Sequence, residues 1–351
     1  MKDWLLIFRG QVWDKEIYPK LELYKNNNIE LVVEDTIRKN IINSLVNDLS
    51  LNTKLHTTYE YVGLEGRTDI MKFKNVLINP PYSIQVGPGK TQQVWSPLVI
   101  FTLKSTLANK GNYEAWHPIG WRNISGDYRG VWKEYQLRNV TDIEINDIIK
   151  GMEVFGEKTP YDRVLLTNEP YKGETNITFS DGTQKTMDIS KMDFIPNCMV
   201  DEVMDNIAKP NEERMNILLD TASHHTQRKH MNVKQEPPFT FPCVYSILLD
   251  GTINFWYSSE SSHHFGIPKL ILGNGANPTS TIDENGKYGV TQYSYGIIDK
   301  KENLPLIEKA LHSEEFQKIN QATKFYATGG NPLAYPRVLS KFRKDFWKKY
   351  V

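Results

Sequence analysis

The apolar and polar positions in the first half of the chain predict strands that alternate with helices. Short apolar runs at Leu5–Phe8, Ile29–Val33 and Val76–Ile78 are typical of buried strands. Thr36–Leu49 instead carries apolar residues at i, i+4, i+5, i+8 and i+9, counted from Ile37, which is the spacing of one helix face. Strands separated by helices pair in parallel, so we predict an α/β fold with a doubly wound sheet.

Further segments of the first half extend this alternation. Lys20–Lys25 is predicted as a helix, and Trp95–Ala108 as a longer one that the glycine-containing run Asn109-Lys110-Gly111 ends. Apolar runs at Tyr113–Trp116 and Tyr161–Thr167 predict two later strands.

The character of the chain changes after about Asn168, where Gly, Asn, Thr and Ser become more frequent. Helical spacing returns at Asp201–Ala208 and Leu304–Gln321. Three turn pairs indicate β-hairpins: Asp181-Gly182, Asp250-Gly251 and Asn285-Gly286. We therefore predict two domains, residues 1–170 and residues 171–351, of which the second is a smaller α+β domain.

Composition narrows the class of protein. The formal net charge is zero, so any attraction to nucleic acid must come from a local basic patch. The two cysteines, Cys198 and Cys243, form no CxxC pair, which favours a reducing compartment. No apolar stretch approaches 18 residues, and the first residues do not resemble a signal peptide. We expect a soluble protein of a reducing cytoplasm, without a membrane partner.

The tetrapeptide Asn79-Pro80-Pro81-Tyr82 directly follows an apolar strand, and ligands bind at the carboxyl ends of such strands. The Asn79 side chain and the Pro80 main chain offer carbonyl acceptors that can hold an exocyclic amine. Tyr82 offers a ring on which an extruded base can stack, worth roughly 1–3 kcal/mol. Pro80 and Pro81 stiffen the loop, so these groups are positioned in advance. The alternative is that the tetrapeptide is only a turn that ends a strand.

The segment Asn75–Arg122 resembles the DNA methyltransferases that modify N6 of adenine. The resemblance is carried by three runs: NVLINPPYS, WSPLVIFTLKSTLANKG and YEAWHPIGWR. In that family the corresponding features are a catalytic strand and loop, a helix with a glycine stop, and a strand leading to a Pro-Trp-Arg-like turn. KTPYDRVLLTN resembles the family's closing strand, and HHFGIPKLILGNGANP and GKYGVTQYSYGII resemble its target-recognition regions.

This resemblance implies an adenine-specific DNA methyltransferase of the restriction-modification type, with a Rossmann-like catalytic sheet in residues 1–170 and a target-recognition domain in residues 171–351. The cofactor would be S-adenosylmethionine, the partner double-stranded DNA, and the target base would be flipped out of the helix. Asn79, Pro80, Pro81 and Tyr82 would form the catalytic loop. A restriction subunit, or a subunit that completes the cofactor site, is a further partner that the family allows.

The expected cofactor residues depart in part from the family pattern. Its glycine-rich turn follows the first strand, where this chain has one glycine, Gly10. Glu34 and Asp35 end the next strand and could accept the ribose hydroxyls, although they could equally cap the helix that follows. Asp69 matches the family's acidic residue near the cofactor adenine, or is a turn residue. A second glycine pair, Gly273-Asn274-Gly275, is followed by Asn-Pro rather than by a helix, which predicts a turn.

The single glycine leaves two alternatives open beside the enzyme. One is a DNA-binding protein derived from a methyltransferase but unable to bind the cofactor. The other is one subunit of a split enzyme. The sequence contains no Walker loop, no GxSxG element and no carboxylate cluster with a lysine that is typical of a nuclease.

Histidines and basic residues of the second half are candidates for binding. The histidines lack metal-ligand spacing, so we predict exposed loop residues and no metal; they are His224, His225, His230, His263 and His264. The segment His224–Pro238, which contains Arg228 and Lys229, is predicted as a mobile loop. Arg337–Lys349 has six basic residues, and we predict an amphipathic terminal helix whose aromatic residues pack inwards while its basic residues contact phosphates.

Overall fold

The computed structural model describes residues 2–8, 29–33, 53–57, 72–88, 90–124, 128–219, 222–275, 278–325 and 332–351. The chain divides into two compact units, Met1–Cys198 and Met199–Val351. The division therefore follows Cys198 rather than residue 170. The reason is that a hairpin formed by Thr175–Thr178 and Gln184–Met187 continues the sheet of the first unit.

Strands in the described part of the first unit form one large sheet and one small hairpin. The strands are β1 (Lys2–Phe8), β2 (Ile29–Val33), β3 (Thr53–Thr57), β4 (Phe73–Asn79), β5 (Ser83–Gly87), β6 (Lys90–Gln93), β7 (Leu107–Pro118), β8 (Arg138–Asn146), β9 (Tyr161–Pro170), β10 (Thr175–Thr178) and β11 (Gln184–Met187). The large sheet has the order β11-β10-β8-β9-β7-β4-β1-β2-β3, and β5 pairs with β6.

The large sheet is wound in two directions from its centre. β3, β2, β1, β4 and β7 are neighbours in that order and run parallel. From the adjacent strands β1 and β4 the chain winds outwards through β2 to β3 on one side and to β7 on the other. The predicted α/β fold with a doubly wound sheet is confirmed. β9 runs antiparallel between β7 and β8.

The centre of this sheet is buried on both faces, as expected for parallel strands covered by helices. Consecutive residues are buried in β1 (Leu5, Leu6, Ile7) and in β4 (Val76, Leu77, Ile78). The helices described in this unit are α1 (Trp95–Phe101), α2 (Arg129–Leu137) and α3 (Ile148–Phe155), with a π-helical turn at Thr102–Thr106 and 3-10 turns at Ile119–Arg122 and Ile189–Lys191. The predicted helices Lys20–Lys25 and Thr36–Leu49 lie outside the described residues.

The predicted helix Trp95–Ala108 is shorter in the structure, and its predicted stop lies within a strand. The α-helical part ends at Phe101, and β7 begins at Leu107. The pairing of β4 with β7 shifts between Phe73–Leu107 and Asn75–Asn112, so Ala108–Gly111 forms a bulge. Lys110 has a positive φ of 57° there. The Asn-Lys-Gly run allows this bulge rather than a helix end, because the same residue types permit both conformations.

The second unit combines small sheets with helices. Its strands are β12 (Asn216–Leu218), β13 (Met231–Asn232), β14 (Phe241–Ile247), β15 (Ile253–Ser258), β16 (Lys269–Gly273), β17 (Ser280–Asp283), β18 (Gly289–Val290) and β19 (Ser294–Ile298). They form two sheets of order β12-β19-β16-β17 and β13-β15-β14-β18. Its helices are α4 (Val200–Asn206), α5 (Leu304–His312), α6 (Glu314–Ala322) and α7 (Pro336–Leu339), with 3-10 turns at Lys301–Asn303 and Phe346–Lys349.

Two of the three predicted hairpin turns join paired strands in the structure, and the third does not. Asp181-Gly182 joins the antiparallel pair β10–β11, and Asp250-Gly251 joins β14–β15, so both predicted hairpins are confirmed. Asn285-Gly286 is a turn but not a hairpin, because β17 before it and β18 after it belong to different sheets. The turn predicted at Gly273-Asn274-Gly275 is confirmed, since β16 and β17 on either side of it are antiparallel.

Helix predictions in the second unit need two corrections. Leu304–Gln321 is two helices rather than one, because Ser313 ends α5 and caps α6. The Ser313 hydroxyl accepts the Phe316 N–H, in the first turn of α6, at 3.2 Å. The terminal run Arg337–Lys349 is not one amphipathic helix, since only α7 and a 3-10 turn are helical there. Its aromatic residues are buried as predicted: Phe342, Phe346 and Trp347.

Candidate functional site

Asn79 is the last residue of β4, at the carboxyl end of a central parallel strand, as predicted. Phe8, the last residue of β1, is its register partner, so Asn79 stands where the chain winds away in two directions. Ligands of doubly wound sheets bind outside such a point. Asn79 is only 3 % exposed, and among the described residues its Oδ1 has no hydrogen-bond partner. A buried amide carbonyl without a partner costs about 1–3 kcal/mol.

The residues after Asn79 form a fixed loop. Pro80 and Pro81 are buried, and Tyr82 is half-buried. The chain then makes the β5–β6 hairpin and returns, and the Val94 N–H donates to the Tyr82 carbonyl at 3.2 Å. This bond fixes the loop against the start of α1. The tetrapeptide is therefore a strand-ending turn, and it also holds a buried acceptor beside a half-buried ring.

A cluster of aromatic side chains lies next to this loop, where β7 ends. The Trp95 ring stacks on His117 with a centroid distance of 5.1 Å and lies 5.0 Å from Tyr128. His117 Nε2 lies 2.8 Å from the Tyr135 hydroxyl, and its ring packs edge-on against Trp121. Burial lowers the pKa of His117 to about 4, so the imidazole is neutral at ordinary pH. The Trp95 indole N–H is buried, and no described residue accepts a hydrogen bond from it.

A buried ion pair supports the turn after β7. Arg122 Nε donates to Asp162 Oδ2 at 2.7 Å, and the Trp121 indole N–H donates to the same oxygen at 2.7 Å. The other Arg122 nitrogens donate to the Ile195 carbonyl at 2.7 Å and to Asn197 Oδ1 at 2.9 Å. Both charged side chains are fully buried, and no donor within the described ranges reaches Asp162 Oδ1. The predicted Pro-Trp-Arg turn is thus tied to β9 and to the end of the first unit.

The residues predicted to hold the cofactor all lie outside the described residues: Gly10, Glu34, Asp35 and Asp69. The strands that precede three of them are described. β1 ends two residues before Gly10, and β2 ends directly before Glu34. β1 pairs in parallel with both β2 and β4, so the chain leaves all three strands at one edge of the sheet. This placement fits a ligand that spans the carboxyl ends of β1, β2 and β4.

Sequence reasoning did not single out Trp95, His117 or Asp162. They are far apart along the chain: pairing of β7 with β9 places Asp162 opposite His117, and Trp95, at the start of α1, stacks on His117. Each does fall within a run that carries the family resemblance. That context is the signal that could have found them.

The histidines of the second unit are not all exposed loop residues, which corrects the prediction. His224 and His264 are buried, and their Nδ1 atoms lie 3.1 Å apart. His264 Nδ1 also accepts the Val290 N–H at 3.2 Å, and His230 Nε2 lies 2.6 Å from the Ser223 carbonyl. Within the described ranges, no group of three or more His, Cys, Asp and Glu side chains could hold a metal ion.

Basic residues of the terminal run are largely paired with acidic ones. Lys344 Nζ lies 2.8 Å from Glu213, and Lys349 Nζ lies 3.2 Å from Asp205. Arg343 and Lys348 both approach Asp345. Arg228 and Lys229, in contrast, are exposed.

No protein-family model matches the chain, and no curated protein matches it. Among solved structures, it is similar to the methyltransferase subunit of a type I restriction-modification system from Streptococcus thermophilus, with 12 % identity and a TM-score of 0.39 over 53 % of this chain and 45 % of that one. It is also similar to the type IIG restriction endonuclease BpuSI, with 9 % identity and a TM-score of 0.37 over 91 % of this chain and 53 % of that one.

The chain spans about half the length of both structures. These scores are low, so the function proposed below rests on the residues of this chain. Among the residues that the structure describes, no helix is long and apolar enough to cross a membrane.

Proposed function

We propose that this protein transfers a methyl group from S-adenosylmethionine to N6 of adenine in a specific sequence of double-stranded DNA. Asn79 is the observation that carries the proposal. Its buried side-chain carbonyl has no hydrogen-bond partner in the part of the chain that the structure describes, and it lies at the centre of the carboxyl edge. A substrate amine that donates to this carbonyl accounts for a placement that otherwise costs stability.

The loop residues act on the amine. Its lone pair is delocalised into the adenine ring, so the nitrogen is a poor nucleophile. Asn79 Oδ1 accepts one N–H and the Pro80 carbonyl accepts the other, which favours a tetrahedral nitrogen with an available lone pair. Pro80 and Pro81 hold both acceptors in place before the substrate arrives, so no loop ordering is needed in the reaction. Bound S-adenosylmethionine supplies the electrophilic methyl group.

Tyr82 captures the base. A stacked adenine hides its amine inside the duplex, so the base must be extruded before it reaches Asn79. The half-buried Tyr82 ring, fixed through its own carbonyl, offers the face on which that base stacks.

Gly10, Glu34, Asp35 and Asp69 are proposed to hold the cofactor. The parallel ends of β1 and β2 support this assignment, since β1 ends at Phe8, the register partner of Asn79, and β2 pairs in parallel with β1. In this arrangement the turn at Gly10 approaches the ligand with its main chain, and the carboxylates accept ribose hydroxyls.

The test is incorporation of labelled methyl groups into DNA adenine by the full chain and its variants. Asn79→Ala removes the acceptor, and we expect a loss of at least about 100-fold in methyl transfer with DNA binding nearly unchanged. Asn75→Ala, in the same strand but away from its carboxyl end, is the matched control and should remain active. Wild-type activity in Asn79→Ala would remove the catalytic role of the loop.

Tyr82 variants test capture of the base separately. Tyr82→Ala should weaken it by roughly 1–3 kcal/mol, whereas Tyr82→Phe should retain most of it, because stacking needs only a ring. Calorimetric titration with S-adenosylmethionine distinguishes the methyltransferase from the two alternatives that the single glycine turn leaves open. A wild-type protein that binds DNA but neither binds the cofactor nor transfers methyl groups would be the cofactor-free DNA-binding protein, or one half of a split enzyme.

A further inference from the structure

Three partly exposed aromatic rings lie together on the second unit. Tyr245 is central: its ring centroid lies 6.2 Å from that of Trp256, with the planes 30° apart, and 4.9 Å from that of Tyr293. Trp256 and Tyr245 are half-buried, and Tyr293 is 48 % exposed. Strand alternation places Trp256 on the opposite side of the hairpin from Phe255, which packs against the hydrophobic core. We call Tyr245, Trp256 and Tyr293 the aromatic face.

A basic loop is fixed beside the aromatic face. The Thr226 N–H donates to Gln292 Oε1 at 3.1 Å, and Gln292 Nε2 donates to the Thr226 hydroxyl at 2.8 Å. Gln292 directly precedes Tyr293, so these two bonds hold the loop next to the most exposed ring. Arg228 and Lys229 follow Thr226 closely and are exposed, and Arg228 Nε donates to the Ala222 carbonyl at 3.1 Å. We call Arg228 and Lys229 the basic loop.

Rings beside cations match the chemistry of a nucleotide. A base stacks on aromatic rings whatever its sequence, and a phosphate is attracted by arginine and lysine. An apolar protein segment would use the rings but would have to remove the two charges from water, which is unfavourable. The terminal run is a weaker candidate for phosphate contact, since four of its basic residues approach carboxylates.

We propose that the aromatic face and the basic loop together bind an unpaired nucleotide of the DNA, with the base on the rings and the adjoining phosphate on Arg228 and Lys229. The identity of the nucleic acid as DNA rests on the proposed function; the binding surface rests on the second unit alone. Any base without a pairing partner exposes ring faces that this surface can stack against.

The experiment measures binding of the full chain to two labelled duplexes, one fully paired and one with a single unpaired nucleotide. Wild-type protein should bind the second duplex more tightly. Tyr293→Ala should lower the affinity for the duplex with the unpaired nucleotide about 10-fold and so remove most of this preference, whereas Tyr293→Phe should keep it. Trp256→Ala should act in the same direction. Leu249→Ala, which is 75 % exposed at the tip of the same hairpin, is the control for loss of an apolar side chain and should change nothing.

The basic loop has its own readout. Replacing Arg228 and Lys229 with glutamine should weaken binding of both duplexes. The plot of log affinity against log salt concentration should become less steep, its negative slope decreasing in magnitude by about 2. Lys318→Gln, an exposed lysine paired with Glu314, is the matched control. Equal affinity of wild type and Tyr293→Ala for the unpaired duplex would overturn the proposal, as would an equal loss on both duplexes.

Methyl transfer measured on the same variants separates the two proposals. If wild-type protein transfers methyl groups and the ring substitutions leave DNA binding unchanged, the aromatic face fails while the proposed function stands. If the rings govern binding of the unpaired duplex but no methyl group is transferred, the aromatic face stands and the proposed function fails.

Discussion

Three buried polar atoms near the ends of elements in the first unit have no hydrogen-bond partner among the described residues. Asn79 Oδ1, Trp95 Nε1 and Asp162 Oδ1 are all of this kind. Each costs about 1–3 kcal/mol. Such costs are typical of binding sites, where stability is given up for a group that a ligand will satisfy.

His117 gives this region a dependence on pH. Its folded pKa is about 4, lowered mainly by burial, against about 6.5 in an unfolded chain. The unfolded state therefore binds more protons between pH 6.5 and 4. The free energy of unfolding should fall as the pH drops through that window, by about 3 kcal/mol for this group.

Urea unfolding at several pH values tests this expectation. His117→Gln cannot take up the proton, so its free energy of unfolding should vary less between pH 6.5 and 4 than that of the wild type. His225→Gln, in the second unit, controls for the loss of a histidine. Identical pH slopes for His117→Gln and wild type would contradict the assignment.

The sequence suggested Asn79 and Tyr82 as candidates because the motif is four adjacent residues that directly follow an apolar strand, and their roles remain predictions. Strand pairing brings Asp162 opposite His117, and no linear spacing reveals that. The pairing of His224 with His264 was missed for the same reason, since exposure cannot be read from a polar segment whose partner lies elsewhere in the chain.

At the scale of elements, the bulge in β7 depends on Gly111. A Cβ atom there would lie 2.9 Å from the carbonyl oxygens of both Ala108 and Lys74, which are main-chain atoms and cannot rotate away. Gly111→Ala should therefore lower the free energy of unfolding by about 1–3 kcal/mol.

Thermal or urea unfolding provides the measurement, and Gly87→Ala is the matched control, because nothing lies within 4 Å of a Cβ atom at that position. Equal stability of the two variants would show that β7 adjusts freely. The sequence predicted strands at β1, β2, β4, β7 and β9, but it missed β3 and β8. It misassigned the Asn-Lys-Gly run because glycine ends helices and permits bulges alike.

On the scale of the whole molecule, the chain has no net charge, so attraction to DNA must come from local groups of basic residues. Lys344 and Lys349 approach Glu213 and Asp205, so replacing both lysines with glutamine should change the salt dependence of DNA binding by much less than the same change at Arg228 and Lys229. Fluorescence anisotropy over a range of salt concentrations measures both slopes. A larger effect of the Lys344 and Lys349 substitutions would contradict this prediction and indicate that the terminal run contacts phosphates.

The sequence placed the division between the units too early because it followed composition. The change after Asn168 is real, but β10 extends the first sheet by pairing in parallel with β8. Pairing between distant segments, which composition does not encode, decides where a unit ends.

The central position of β4 has a consequence for how the protein is made. Leu77 of β4 pairs with Leu6 on one side and with Glu114 on the other. Closing such long loops costs more entropy than forming a local hairpin, so we expect these central pairings to form more slowly than the β10–β11 hairpin. During synthesis, β4 leaves the ribosome before β7 exists to pair with it. The edge that carries Asn79 is therefore completed only after much of the first unit has been translated.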